Sequence, residues 1–232
     1  MAVQLRRLIA IALLVIACAP VTTPASPPTV PATSPTPAPS IPELGITGGA
    51  LPAGRYAMRG FDPRITVDLD GSWESLAQRN GYTSLVQVSR PTGSNPNLAR
   101  TLIQIALVDA IVGDVSVFEP TTANAAVAVI QRNGTIDVVD TSKSKIGGLT
   151  GAQVTGERPS DGTEPFLSYN VSVVLEVPPG SIGLTPGQRL WIAFFETEQG
   201  LVAIVVNGQI EGWDATLEAA EPVLEEIRFS VP

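Results

Sequence analysis

The chain of 232 residues contains no histidine and a single cysteine. Histidine-based triads, Cys-His dyads, histidine-ligated zinc, CxxC redox pairs and intramolecular disulfides are therefore excluded. Charge is also scarce, because Asp, Glu, Lys and Arg together make up 16%, against roughly 25% in ordinary soluble domains. The charge that is present is mostly negative, and a net −8 at pH 7 argues against a nucleic-acid partner, because phosphate recognition needs a basic surface. No apolar run is long enough to span a bilayer: the longest near the start, Leu8 to Ile16, has nine residues, about half of the roughly 20 that a membrane helix needs. Glycine and proline, at 21 each, are both above average usage.

Residues 1–17 have the parts of a secretory signal peptide: a basic start at Arg6 and Arg7, the apolar run, and a small residue, Ala17, at its exit. The end of this leader, Val15-Ile16-Ala17-Cys18, resembles the bacterial lipobox, with a branched aliphatic, an aliphatic and a small residue before the cysteine. That resemblance implies diacylglyceryl transfer to the Cys18 sulfur and cleavage between Ala17 and Cys18. The competing reading is an ordinary signal peptide with an incidental cysteine. One acyl chain holds a protein only marginally, whereas two or three, at about 0.8 kcal/mol per buried CH₂, hold it stably. The expectation is a lipoprotein on the extracytoplasmic face of a bacterial membrane, with Cys18 as its anchor.

Residues 18–42 follow as a tether. From Ala19 to Pro42 there are nine prolines, no charge and no aromatic residue, with Ala, Ser and Thr making up most of the rest. Such a segment cannot bury a core; it samples polyproline II and, at about 3.1 Å per residue, its 24 residues reach on the order of 75 Å. It reads as a disordered stalk, and alternatively as a ligand for a proline-binding partner. The remaining 43–232 are expected to form one α+β domain, with 12 basic against 22 acidic residues and a net charge of −10. A surface of that sign repels bare anionic lipid, which suits a spacer.

Within the domain most segments alternate or run apolar, carry β-branched residues and are bounded by Gly, Pro, Asn or Asp, so strands dominate. The pattern predicts strands over 64–69, 83–89, 101–108, 135–140, 152–157, 166–177, 188–196 and 201–207, the last two joined as a hairpin through Thr197-Glu198-Gln199-Gly200. Two helices are predicted. The first, Thr122 to Arg132, is Ala-rich, capped by Thr121 or Thr122 and closed by Asn133-Gly134. The second, Asp214 to Arg228, repeats apolar residues at Leu217, Ala220, Leu224 and Ile227 after an Asp214 cap. Pro222 either kinks that helix or starts a new one, and Arg228 to Val231 then closes the chain in extended form.

The order of several short pieces resembles secreted bacterial lipoprotein domains of the LpqN and PsbP-like kind. Those pieces are Gly54-Arg55-Tyr56, Phe61-Asp62-Pro63 before a strand, Gly71-Ser72-Trp73, the first helix, Ile146 to Gly151 opening a strand, and the terminal hairpin, helix and Ile227-Arg228-Phe229. The resemblance implies an α/β/α-type sandwich around a curved, mainly antiparallel sheet, and carries no shared catalytic residues.

Candidate chemistry is thin. Gly147-Gly148-Leu149-Thr150-Gly151 lacks the Gly-Lys-Ser/Thr ending of a phosphate loop and is expected to be a tight turn. Asp68-Leu69-Asp70-Gly71 has the look of a calcium turn without the glutamate such a loop needs, and reads as a hairpin end. Glu225-Glu226 and Glu196 with Glu198 offer paired carboxylates of the kind glycosidases use, although such pairs arise by chance among 22 acidic residues. Ser142-Lys143-Ser144-Lys145 supplies serine and lysine together, but its polar sequence suits a solvated loop edge better than a desolvated catalytic lysine. Trp73 and Trp213 stand beside turns, where core packing or a partner-facing role is expected, and Trp191 heads a buried strand.

No catalytic residue, metal site or cofactor is expected. The leading expectation is a non-enzymatic binding module whose partner is a protein, a wall polymer or an apolar small molecule. A carrier of an apolar ligand, and a carboxylate-dependent hydrolase of extracellular glycans, are the alternatives.

Overall fold

The computed structural model describes residues 40–44, 47–87, 101–113, 116–134, 136–160, 172–178 and 180–230. Residues 1–17, expected to be a signal peptide, the lipobox residues Val15, Ile16, Ala17 and Cys18, and the expected tether as far as residue 39 lie outside the described residues, as do residues 166–171 of the strand expected over 166–177.

Two apolar runs organise the domain. Strands β13 (Gln188–Thr197) and β14 (Gly200–Gln209) pair antiparallel along their whole length, from Gln188↔Gln209 to Thr197↔Gly200. Side chains alternate faces along a strand, so a run such as Leu190 to Phe195 is apolar throughout only if both faces are covered. Both are. Strands β1 (Thr47–Ala50), β4 (Trp73–Arg79), β5 (Tyr82–Gln87), β6 (Leu102–Leu107), β9 (Asp137–Ile146) and β10 (Leu149–Arg158) extend the hairpin on either side. The resulting eight-stranded antiparallel sheet has the order β1-β4-β5-β6-β14-β13-β10-β9.

On one face Phe195, Val202, Ile204 and Ile105 pack against helix α2 (Trp213–Glu226) and a small sheet of β15 (Arg228–Phe229), β3 (Ile65–Leu69) and β2 (Gly54–Ala57). On the other, Ile192, Phe194, Ala203 and Val205 meet helix α1 (Ala123–Asn133). That second face also carries a four-stranded sheet, β12 (Gly180–Leu184), β11 (Ser172–Val177), β7 (Ala110–Val112) and β8 (Val117–Phe118). The domain is α+β and mostly antiparallel sheet, with one helix and one small sheet on each face.

Helix α1 follows the expected rules: the Thr122 hydroxyl accepts from the Ala125 N–H at 3.2 Å, and Gly134 ends the helix at φ 66°. Helix α2 differs from the sequence reading at both ends. It starts at Trp213 with Gly212 before it, so Asp214 lies in the first turn and is not the cap. It stops at Glu226 because Arg228 and Phe229 pair with Thr66 and Ile65. Pro222 sits inside one continuous helix.

Two local readings need correction. Asp68 to Gly71 is not a hairpin end, because β3 and β4 belong to different sheets; the Asp70 carboxylate accepts from the Ser72 N–H and hydroxyl at 2.9 and 2.6 Å and shapes the crossing. Ser142 to Lys145 is not a loop edge but part of the edge strand β9. Trp73 and Trp213 are buried in the core, the packing role expected of them, and the Arg189 guanidinium lies 5.7 Å over the Trp213 ring. The turn at Gly147-Gly148 is as expected, with φ 58° and 91° joining β9 to β10.

Candidate functional site

The β9–β10 and β13–β14 turns fall at the same end of the central sheet, since antiparallel register places Ala152 beside Phe194 and runs both strands toward their turns. A cleft of about 380 Å³ opens there. Its apolar lining is Pro63, Leu149 and Phe229, and its carboxylates are Asp62, Glu196 and Glu198.

Each wall is held by a specific contact. Phe229 is fixed by β15, and its ring meets Phe195 at 5.7 Å with the planes tilted by 48°. The β9–β10 turn closes on that ring because Gly147 has no side chain: a Cβ there would lie 2.7 Å from Phe229 Cδ2. Across the cleft, Gln199 at the tip of the β13–β14 hairpin clamps the segment before β3. Its Oε1 accepts from the Asp62 N–H at 2.7 Å and its Nε2 donates to the Gly60 carbonyl at 3.1 Å. One glutamine therefore sets the position of Asp62 relative to Glu198.

The carboxylates are not equivalent. Glu196 Oε1 accepts from the Ala123 N–H at 3.0 Å, satisfying a donor in the first turn of α1 and placing negative charge at the positive end of the helix. Asp62 and Glu198 are exposed, and no cation among the described residues pairs with either carboxylate. Among the described residues no three potential ligand side chains converge closely enough to hold a metal ion.

A second acidic groove, of about 450 Å³, runs beside α2 between Trp73, Pro222 and Val223, with Asp68, Asp70, Glu218 and Glu226 around it. Here the carboxylates are mostly engaged internally. Arg55 holds Asp68 through Nη2 at 2.6 Å and Nε at 3.0 Å, and this bond keeps the Asp68 carboxyl below the usual carboxylate range. The bonds from Ser72 do the same for Asp70, and Glu226 pairs with Arg228 at 3.3 Å. A third opening, of about 420 Å³, is lined by Gln104, Ile182 and Asn207, whose amides are used within the protein. Gln104 Nε2 donates to the Tyr82 hydroxyl at 2.8 Å, and Asn207 Nδ2 donates to the Gly183 carbonyl at 3.4 Å.

Of the residues singled out in the sequence, Glu196 and Glu198 share the cleft, while Glu225 and Glu226 lie at the end of α2. Lys143 and Lys145 are exposed on β9 and Ser144 is buried. Sequence reasoning did not single out Gln199, Leu149 or Phe229 as cleft residues; all three stood only within motifs, and the pairing of distant turns that unites them has no local signature.

No family model matches the chain, and no curated protein is similar to it. Solved structures similar to it include one from Bacteroides thetaiotaomicron, at 12% identity and a TM-score of 0.40 over 77% of this chain and 49% of that one. The chain thus spans about half the length of that protein. LpqN of Mycobacterium tuberculosis, involved in cell envelope biogenesis, is similar at 12% identity and a TM-score of 0.37, over 80% of this chain and 91% of that one. The cyanobacterial PsbP from Synechocystis is similar at 9% identity and a TM-score of 0.37, over 81% and 99%. Likeness at these scores assigns no activity. No helix among the described residues is long and apolar enough to cross a membrane.

Proposed function

We propose that the chain is a lipid-anchored, extracytoplasmic binding module that engages its partner at the cleft between the β9–β10 and β13–β14 turns. In this reading Cys18 carries the lipid, the proline-rich segment is a spacer, and the domain is an α/β/α-type sandwich whose small sheets complete the layers on either side of the central one. The observation that carries the binding site is the coincidence of an apolar lining, Pro63, Leu149 and Phe229, with the exposed carboxylates of Asp62 and Glu198. An apolar recess with a few polar groups at its edge is the usual form of a recognition site.

The same geometry favours binding over hydrolysis. A carboxylate pair acting on a glycan needs both groups free to exchange protons with substrate, and Glu196 is already the acceptor for the start of α1. A carrier is disfavoured by the core: Phe194, Phe195, Ile192 and Ile204 fill the two faces of the sheet and are fully buried.

Two measurements test this reading. Wild-type chain incorporates labelled palmitate and sediments with membranes, and Cys18→Ala does neither; wholly membrane-bound Cys18→Ala contradicts the anchor. A photoreactive side chain at position 198, in intact cells, gives an adduct that the same group at position 218 does not. Equal labelling at both positions, or none at 198, contradicts the cleft as the binding site.

A further inference from the structure

We infer that the occupant of the cleft is an extended protein segment in which a lysine or arginine stands next to an apolar side chain. This rests on the cleft being the binding site, and adds what it recognises.

The argument is one of charge and shape. Asp62 and Glu198 are exposed at the mouth and have no cationic partner among the described residues, and neither lysine nor arginine lines the cleft. The domain from 43 to 232 carries a net −10, so the field around this recess attracts cations and repels anions. The groove beside α2 is the internal contrast: it has four acidic residues against the cleft's three, but Arg55, Ser72 and Arg228 already hold three of them. Among the described residues the cleft leaves two carboxylates, Asp62 and Glu198, unneutralised beside apolar surface, whereas the groove leaves one, Glu218. Lysine and arginine fit such a place, because their alkyl stems lie on apolar groups while their heads reach a carboxylate.

The shape narrows the class further. A bound metal ion is not favoured, since no three potential ligand side chains converge among the described residues. At about 380 Å³ the cleft is at the small end of the roughly 300–1,000 Å³ range of small-molecule sites. It is also open along the tips of two hairpins, which suits one or two side chains of a longer segment.

The test uses the full lipidated chain in neutral detergent micelles and fluorescein-labelled octapeptides of three kinds, alternating Leu with Lys, Leu with Gln, and Ser with Lys. Fluorescence anisotropy is expected to show the Leu-Lys peptide binding about tenfold more tightly than the other two, and weakening as salt is raised. The double variant Asp62→Asn with Glu198→Gln, at exposed positions that leave the core intact, loses about tenfold for that peptide. Glu218→Gln, in the other groove, loses nothing. Equal binding of Leu-Gln and Leu-Lys, or unchanged affinity in the double variant, overturns the inference while the cleft remains the binding site if the position-198 adduct still forms. Failure of every peptide overturns the inference as well, and absence of the position-198 adduct then separately removes the cleft reading.

Discussion

Gly151 shows how closely the strands of the central sheet are set: a Cβ on it would come 1.9 Å from the Phe194 carbonyl oxygen, an atom fixed by the sheet. Gly151→Ala must push β10 away from β13, and overpacking of this kind costs about 1–3 kcal/mol. Urea denaturation reads that loss directly, with Gly180→Ala, where nothing lies within 4 Å, as the neutral control; equal midpoints for the two variants contradict the packing argument. Charged residues give a second prediction at this scale. Asp68 is held below the usual carboxylate range first by its hydrogen bond to Arg55, and Asp70 by Ser72. A carboxyl depressed in the folded state stabilises fully above its unfolded value of about 3.9, and the contribution is lost as pH falls through the lower folded value. Stability of the wild type should therefore drop more steeply below about pH 4 than that of Arg55→Met, which has given up the Asp68 part already. Parallel pH profiles for the two proteins contradict this.

Helix α2 carries a proline at an exposed interior position, Pro222, where the ring removes a backbone donor and crowds the preceding turn. Because little packing is lost with the ring, Pro222→Ala should raise stability by about 1–3 kcal/mol. A lowered thermal midpoint would mean that the proline bends the helix into a shape the core requires. How much of each element can be read from the chain depends on where its signal lies. Strands β13 and β14 are legible because both faces are buried and the apolar run is continuous. Helix α1 is legible from its cap, its alanines and its closing glycine. Strand β4, Trp73 to Arg79, is not, because Ser75 and Gln78 occupy its buried positions and its register slips between Ser75 and Ala77. Strand β12, Gly180 to Leu184, is equally hidden by its glycines, and its partner β11 supplies the context that the segment lacks alone. The cleft was legible only as fragments. Glu196 and Glu198 are visible as a pair, but their different roles depend on the start of α1 reaching Glu196 and on Gln199 reaching Gly60 and Asp62, 139 and 137 residues away in the chain.

At the scale of the whole molecule, the scarcity of charge in the sequence becomes an uneven distribution. Residues 1–17 hold Arg6 and Arg7, residues 19–42 hold nine prolines and no charge, and residues 43–232 are left with the acidic excess. Where that excess meets an arginine or a helix end it is neutralised internally, as at Asp68 and Glu196. Where it does not, at Asp62 and Glu198, it borders the apolar cleft. The most direct test of the cleft as the binding site is hydrogen–deuterium exchange on the full chain, compared between native membranes and purified protein in micelles. Amides of 60–62, 147–150 and 197–199 should exchange about tenfold more slowly in the native membranes, where the proposed partner closes the cleft. Identical exchange at those amides, or slowing confined to α2 and its groove, would contradict the account.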